Sequence, residues 1–237
     1  MNKKSWVVFI AIVVAIIGGM VYMSGQNKLD VSDISEEKMK GIIGAEERNG
    51  NLADHTTGNT KAKVVLIEYG DYQCPGCSTA APKAKALAEK YKDNMMLIFR
   101  NFPIPSLHPN ARAAASAAES AGIQGKFWEM HDMLYSNQDA WSEAAINERT
   151  EIFVGYADEL GLDKEKFKKD LSDTQITKKI NFDVAVGRNQ GVTGTPTFYL
   201  NGEQVEATDD ADYLETAVKK AFKEAGIEVE DSETTEE

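Results

Sequence analysis

Apolar and polar positions recur with three different periods along the chain, and each period predicts a different element. The uncharged run Trp6 to Met23 follows Lys3 and Lys4 and is 18 residues long, the lower end of a bilayer-spanning helix. It has none of the polar positions that give a core helix its solvent face. Gln26 to Thr60 is polar and reads as a linker over 26–60. Its one weak helical pattern, Asp33 to Glu47, places Met39, Ile42 and Ile43 on one side. His55 falls in the Asn/Gly-rich part and is expected as a solvated loop residue. Lys63 to Tyr69 is an apolar run broken only by Glu68, the pattern of a strand buried on both faces. Ser78 to Lys92 has helical spacing with Pro82 as an expected kink, and Met95 to Arg100 is a second strand. Strand, helix, strand in that order predicts a right-handed βαβ unit with parallel strands.

Asn101 to Pro105 turns the chain out of the sheet. Helical spacing then dominates from Asn110 to Asn189, with predicted helices over Asn110–Ala121, Gln124–Ser136, Ser142–Leu160 (capped by Ser142), Asp163–Leu171 and Thr174–Asn189. The pattern returns to strand at Thr197–Leu200. Asn201-Gly202 is a strong two-residue hairpin signal, Glu203–Val205 the returning strand, and Asp212–Ala225 a last amphipathic helix built on Leu214, Val218 and Phe222. The pattern predicts an α/β domain over 61–226 with a helical insertion at about 106–190.

Composition narrows the partners. Apolar residues make up 42% of the 237, enough for a core, and the net charge of −12 argues against nucleic acid. Part of that charge is local: Glu228 to Glu237 holds six acids and no base, so 227–237 reads as a solvated acidic tail.

The chemistry concentrates in Glu68-Tyr69-Gly70-Asp71-Tyr72-Gln73-Cys74-Pro75-Gly76-Cys77, which contains the only two cysteines. Strand before and helix after put Cys74 at a helix N-terminus, where unpaired N–H groups and the helix dipole favour a thiolate. Pro75 suits the first helical position, and Cys77 lies one turn on, in reach of a disulfide. A Cys-x-x-Cys pair can also be half of a zinc site or a structural staple. Zinc would need two more ligands, and His55, His108 and His131 show no paired ligand spacing, so no metal or cofactor is required by the residues. A four-residue ring constrains little chain entropy, which makes a poor staple. Glu68 reads either as an exposed strand-end acid or as a buried one exchanging protons with the thiols. Pro196, in Gly194-Thr195-Pro196-Thr197-Phe198, reads either as a strand-initiating trans-proline or as a cis-proline that leaves Thr195 free to pair with a substrate strand. His108 and His131 read as structural, and Arg100 as a strand-end surface residue.

Cys-x-x-Cys at a strand-to-helix turn, with Gly-Thr-Pro-Thr-Phe before an Asn-Gly hairpin, resembles the thioredoxin superfamily. The helical insertion narrows the resemblance to the DsbA-like disulfide oxidoreductases. Asp71-Tyr72-Gln73-Cys74-Pro75, Phe102-Pro103, His108-Pro109-Asn110-Ala111, Ala117-Ala118-Glu119 and Gly125-Lys126-Phe127-Trp128 are also similar to that family. The resemblance implies Cys74 as nucleophile, Cys77 as resolving thiol, Pro196 as a cis-proline beside the sulfurs, Thr195 as the residue pairing with substrate backbone, and Glu68 as the acid below the site. Gly76 departs from the histidine that strongly oxidising members often carry, which leaves the direction of electron flow open. The implied activity is the introduction of disulfides into cysteine-containing exported proteins, with reoxidation by a quinone-linked membrane protein. A reductase or isomerase is the first rival, and an anchored binding module with a structural disulfide the second.

The segment Trp6–Met23 lacks a convincing small-x-small cleavage site, although Ser24-Gly25 keeps one possible, and is expected as a retained single-pass anchor over 1–25. No cysteine follows it, which excludes lipid attachment there. The domain is then expected outside the cytoplasmic membrane, where disulfides persist. Such an arrangement looks like the anchored members of bacteria that lack a true periplasm.

Overall fold

The computed structural model describes residues 6, 9, 10, 12–14, 31, 34–47, 52–208 and 210–229. Most of the expected membrane span and, from residue 230 on, the acidic tail lie outside the described residues. Among the described residues, no helix is long and apolar enough to cross a membrane.

Five strands form one sheet in the order β1-β3-β2-β4-β5, with β1 at His55–Gly58, β2 at Val64–Gly70, β3 at Met95–Asn101, β4 at Thr197–Leu200 and β5 at Glu203–Val205. β2 is central. It pairs in parallel with β3, through the connecting helix α2 (Pro75–Lys90), and antiparallel with β4. Its side chains alternate between two buried faces: Val64 and Leu66 pack with Leu87, Leu214, Val218 and Phe222, while Ile67 and Tyr69 pack with Met96, Ile98 and Phe102. Asn201 and Gly202 close the β4–β5 hairpin with φ of 50° and 86°, the left-handed pair that a two-residue turn requires.

Six helices lie between β3 and β4: α3 (Ala111–Ile123), α4 (Phe127–Ser136), α5 (Gln138–Trp141), α6 (Ile146–Glu159), α7 (Lys164–Asp170) and α8 (Thr174–Asn189). α7 and α8 are capped by Asp163 and Asp173, whose side chains accept from Lys166 N and Gln175 N. The helix expected over Ser142–Leu160 starts about one turn later, at Ile146, and runs to Glu159. Ser142 is not its N-cap: it closes α5 as the C-cap, its N–H donating to the Gln138 carbonyl, and its own carbonyl accepts from Gln73 and Asn110. The last helix, α9 (Tyr213–Glu224), covers the sheet beside α2 with Leu214, Val218 and Phe222 buried, as the sequence pattern requires.

Of the stretch expected as a polar spacer, residues 31, 34–47 and 52–58 are part of the fold. Its helix is shorter than the pattern suggested, four residues of α1 (Glu36–Met39) followed by a 3₁₀ turn at Ala45–Glu47. Val31, Met39 and Ile43 are nonetheless buried against Phe182 and Val186 of α8. Residues 55–58 form the edge strand β1 on β3, so His55 is not a loop residue: it stacks on Phe127 and its Nε2 lies 2.8 Å from Glu119. Arg100 is fully buried rather than at the surface. Its guanidinium donates to Asp54, to the Met39 and Gly41 carbonyls and to Tyr69 Oη. Polar residues that satisfy one another internally leave no hydrophobic trace in the sequence, which is why this segment read as linker.

Removing one partner strands the other as an uncompensated buried charge. Asp54→Ala is expected to cost about 3–5 kcal/mol and lower the urea midpoint with little change in slope; an effect below about 1 kcal/mol would show the pair to be solvated.

Candidate active site

Cys74 is the N-cap of α2, with extended backbone (φ −73°, ψ 123°) and Pro75 as the first helical residue. The turn before it is built by Asp71. Its Oδ1 accepts from Gln73 N at 2.8 Å, its carbonyl accepts from Cys74 N at 3.0 Å, and its own N–H points at Cys77 Sγ at 3.5 Å. Asp71 Oδ2 accepts from Ile104 N and lies 2.9 Å from His108 Nδ1, so the loop after β3 is tied to the same turn. Gln138 adds a second tie, donating to the Tyr72 and Cys74 carbonyls from α5. Asp71 was legible only as part of a family motif, although an Asp two residues before a backbone donor is a turn signal in its own right. Gln138 left no signal in the sequence.

The register of β4 supplies the other half of the site. Glu68 stands opposite Phe198 and Tyr69 opposite Thr197, so Pro196 and Thr195 come next, beside the strand end where the cysteine turn starts. The Thr195–Pro196 peptide is cis. Thr195 O accepts from the Cys74 thiol at 3.3 Å. Gly76 lies against the same proline: a Cβ there would come within 3.2 Å of Pro196 Cδ and 3.7 Å of Cys74 Sγ. Cys74, Pro75, Gly76, Cys77, Thr195 and Pro196 are therefore one cluster, with Glu68 under it.

The two thiols, both free, are in opposite environments. Cys74 is 9% exposed and Cys77 fully buried. Hydrogen bonding from the Cys77 thiol, aided by the backbone N–H groups of Cys77 and Gly76, outweighs partial burial and lowers Cys74 to about 5. The Thr195 side chain lowers Cys74 further, while the Thr195 carbonyl, an acceptor only, takes the proton of the neutral thiol. Burial, with the Cys74 hydrogen bond and the nearby Glu68, pushes Cys77 far above the ordinary thiol range. Glu68 is 1% exposed, its Oε1 has no hydrogen-bond partner, and burial raises it to about 8. Glu119 is equally buried yet falls to about 2, because Lys179 and His55 outweigh the cost of burial. Among the described residues no cation stands beside Glu68, and burial keeps it a neutral acid at pH 7.

Residues 50–220 match a protein-family model described as thioredoxin. The chain belongs to the thioredoxin family. A thioredoxin-like oxidoreductase from Silicibacter pomeroyi DSS-3 superposes with a TM-score of 0.59 at 28% identity, covering 72% of this chain and 92% of the other. DsbA2 of Pseudomonas aeruginosa superposes at 0.56 with 27% identity, covering 71% and 94%. A Na(+)/H(+) antiporter NhaA 1 of Salinispora arenicola is 38% identical over 169 residues, 71% of this chain but 25% of its own length. The chain thus spans about a quarter of the curated relatives it matches, and the transport named for them is not carried over to it.

Two measurements follow from the charges. Iodoacetamide alkylation of Cys74 is expected to rise with pH through a midpoint near 5, against about 8.5 for a free thiol; a midpoint above 8 would remove the activated thiolate. Glu68 binds its proton in the folded protein up to pH about 8 but in the unfolded chain only up to about 4.3, so stability falls as pH rises between those values. Glu68→Gln keeps the neutral form and is expected to stabilise the protein by on the order of a few kcal/mol above pH 8, with little effect at pH 4. Equal gains at both pH values would contradict a raised Glu68.

Proposed function

We propose that this thioredoxin-family protein is an extracytoplasmic thiol–disulfide oxidoreductase that introduces disulfides into exported, cysteine-containing proteins. The observation that carries this reading is the low Cys74 thiol, at a helix N-terminus, beside a buried Cys77 and a cis-proline. A thiolate stabilised in the reduced form makes the dithiol the favoured product, so the disulfide tends to oxidise its substrates.

In the exchange, a substrate thiolate attacks Cys74 Sγ, the Cys74–Cys77 bond breaks, and Cys77 leaves with the electron pair. The neutral Glu68 carboxyl supplies the proton that the buried Cys77 thiolate needs. A second substrate thiolate then attacks the substrate sulfur of the mixed disulfide and Cys74 leaves as a thiolate. Two electrons have passed from the substrate dithiol to the cysteine pair. Thr195 holds the substrate as a short extra strand through its backbone, next to the sulfur it reacts with. By resemblance, the pair is reoxidised by a quinone-linked membrane protein, and Trp6–Met23 holds the domain at the outer face of the membrane.

Gly76 favours the rival reading, a reductase or isomerase, because no side chain there adds positive charge to the thiolate. The reduction potential separates the two. Equilibration in glutathione buffers is expected to give a value near roughly −120 mV. A value near about −270 mV would reverse the direction of electron flow, and no reversible exchange would end the catalytic reading.

A further inference from the structure

Behind the cysteine pair lies a group of buried polar atoms that the exchange as written does not use. Among the described residues, Tyr72 Oη, Tyr135 Oη and His131 Nε2 have no hydrogen-bond partner, and neither has Glu68 Oε1. The three rings form one cluster, with centroids 4.9 Å apart for Tyr72–Tyr135, 5.0 Å for His131–Tyr135 and 5.7 Å for Tyr72–His131. Tyr135 Oη reaches the end of β2. A Cβ on Gly70 would lie 2.9 Å from it, and the next residue, Asp71, points its N–H at Cys77 Sγ. Orphaned polar atoms are rare in protein interiors, and several on neighbouring rings are the kind of lining that a buried water needs.

The same two residues of α4 reach a surface groove. Tyr135 and His131 line it together with Pro82, Lys85, Glu89 and Asp132. His131 Nδ1 lies 3.0 Å from Asp132 Oδ1, and Asp132 is also held by Lys85. Burial keeps His131 below its ordinary value, hence neutral, with Nδ1–H on the carboxylate and Nε2 left as an acceptor facing the interior.

We propose that Tyr135 and His131 carry protons between the buried Glu68–Cys77 pair and the Lys85–Asp132 groove. The role rests on the oxidoreductase reading above. When Cys77 leaves with the electron pair of the broken disulfide, it takes the Glu68 proton. The Glu68 carboxylate is then reprotonated by the Tyr135 hydroxyl, Tyr135 takes the proton that the imidazole carries on Nε2 in the disulfide form, and His131 Nδ1 takes up a proton drawn from solvent at Asp132, which leaves the Nδ1–H tautomer of the dithiol protein. No further electrons or co-reactants are involved. The groups facing this path are Glu68, Asp71 and Tyr72 from β2 and its turn, Cys77 and Lys85 from α2, and Asp132 from α4 itself. His55 of β1 acts on His131, Glu119 of α3 on Tyr72, and Tyr213 of α9 faces Glu68 and Cys77.

Tyr135 and His131 are relay residues acting through Glu68, so the test must separate proton delivery from packing. Tyr135→Phe removes only the hydroxyl. Single-turnover reduction of the Cys74–Cys77 disulfide by dithiothreitol is measured from pH 5 to 9 on the full chain, with Cys74 alkylation of the reduced protein alongside. The variant is expected to slow reduction by about tenfold, part of the roughly 10²–10⁴-fold that acid–base transfer contributes, and to leave the alkylation profile in place. Wild-type reduction rates at every pH would overturn the relay, as would an alkylation midpoint that moves along with the rate. Should that variant not fold, Asp132→Asn at the groove mouth reads the same path: slower reduction with unchanged alkylation supports the relay, and an unchanged rate overturns it. Reversible exchange in the wild type with no effect of either variant rejects the relay alone, whereas a wild type without exchange rejects the oxidoreductase reading and the relay with it.

Discussion

The pairing of β2 on both edges organises the molecule, because the reacting groups sit where that strand ends. Parallel pairing with β3 requires a crossover, and the crossover is α2, whose N-terminus must start just beyond the strand. Antiparallel pairing with β4 brings the chain back in the opposite sense, so the residues just before β4 lie beside the end of β2. Cys74 belongs to the first connection and Thr195–Pro196 to the second. Residues more than a hundred positions apart thus meet through two hydrogen-bonded ladders. A one-residue slip of β4 would turn Phe198 to the wrong face and carry Thr195 away from the sulfur.

Buried charge holds the remaining pieces on this frame. Arg100 fastens the segment before β1 to β3, and a second group ties β1 to the helical insertion. Lys179 lies between Asp183 and Glu119, Asn101 bridges the same two carboxylates, and His55 closes the group from β1. Such networks are weak sources of net stability, since desolvation offsets most of the attraction, but any other arrangement leaves charges unpaired. They act as registers: the insertion and the first strand each have one position in which all partners are met. The placement of α4 and α5, and therefore of Gln138 and Tyr135 near the cysteines, depends on that registration.

The parts legible in the sequence were those written in hydrophobic period or in backbone chemistry. The apolar run of β2, the Asn201-Gly202 turn, the amphipathic α9 and Pro75 beside Cys74 each have a local cause, and local causes survive without tertiary context. The described residues ahead of β1 do not: three buried apolar side chains and a buried aspartate hold them, and none is distinguishable from a spacer until Arg100 and α8 are in place. α6 starts one turn later than the pattern suggests for a related reason. Ser142 looks like an N-cap, but its carbonyl is committed to Gln73 and Asn110, partners 69 and 32 residues away in the chain. Glu68 and Pro196 were each readable in two ways from sequence. Burial without a cation decides the first, and the cis peptide the second.

The chemistry rests on an asymmetry that the fold imposes on two chemically identical thiols. One turn of helix separates Cys74, at the cap with N–H groups and a partial view of solvent, from Cys77, inside and over a carboxyl. A negative charge is stabilised at the first and penalised at the second. An incoming thiolate therefore has an accessible sulfur to attack at Cys74, while Cys77 must become a good leaving group by being protonated as it departs. That proton cannot come from bulk water, since Cys77 is fully buried. A carboxylic acid kept neutral by burial is the simplest donor available to a fold that has closed over its second sulfur. Placing a cation beside Glu68 would lower it as Lys179 and His55 lower Glu119, and would remove the donor while leaving both cysteines in position.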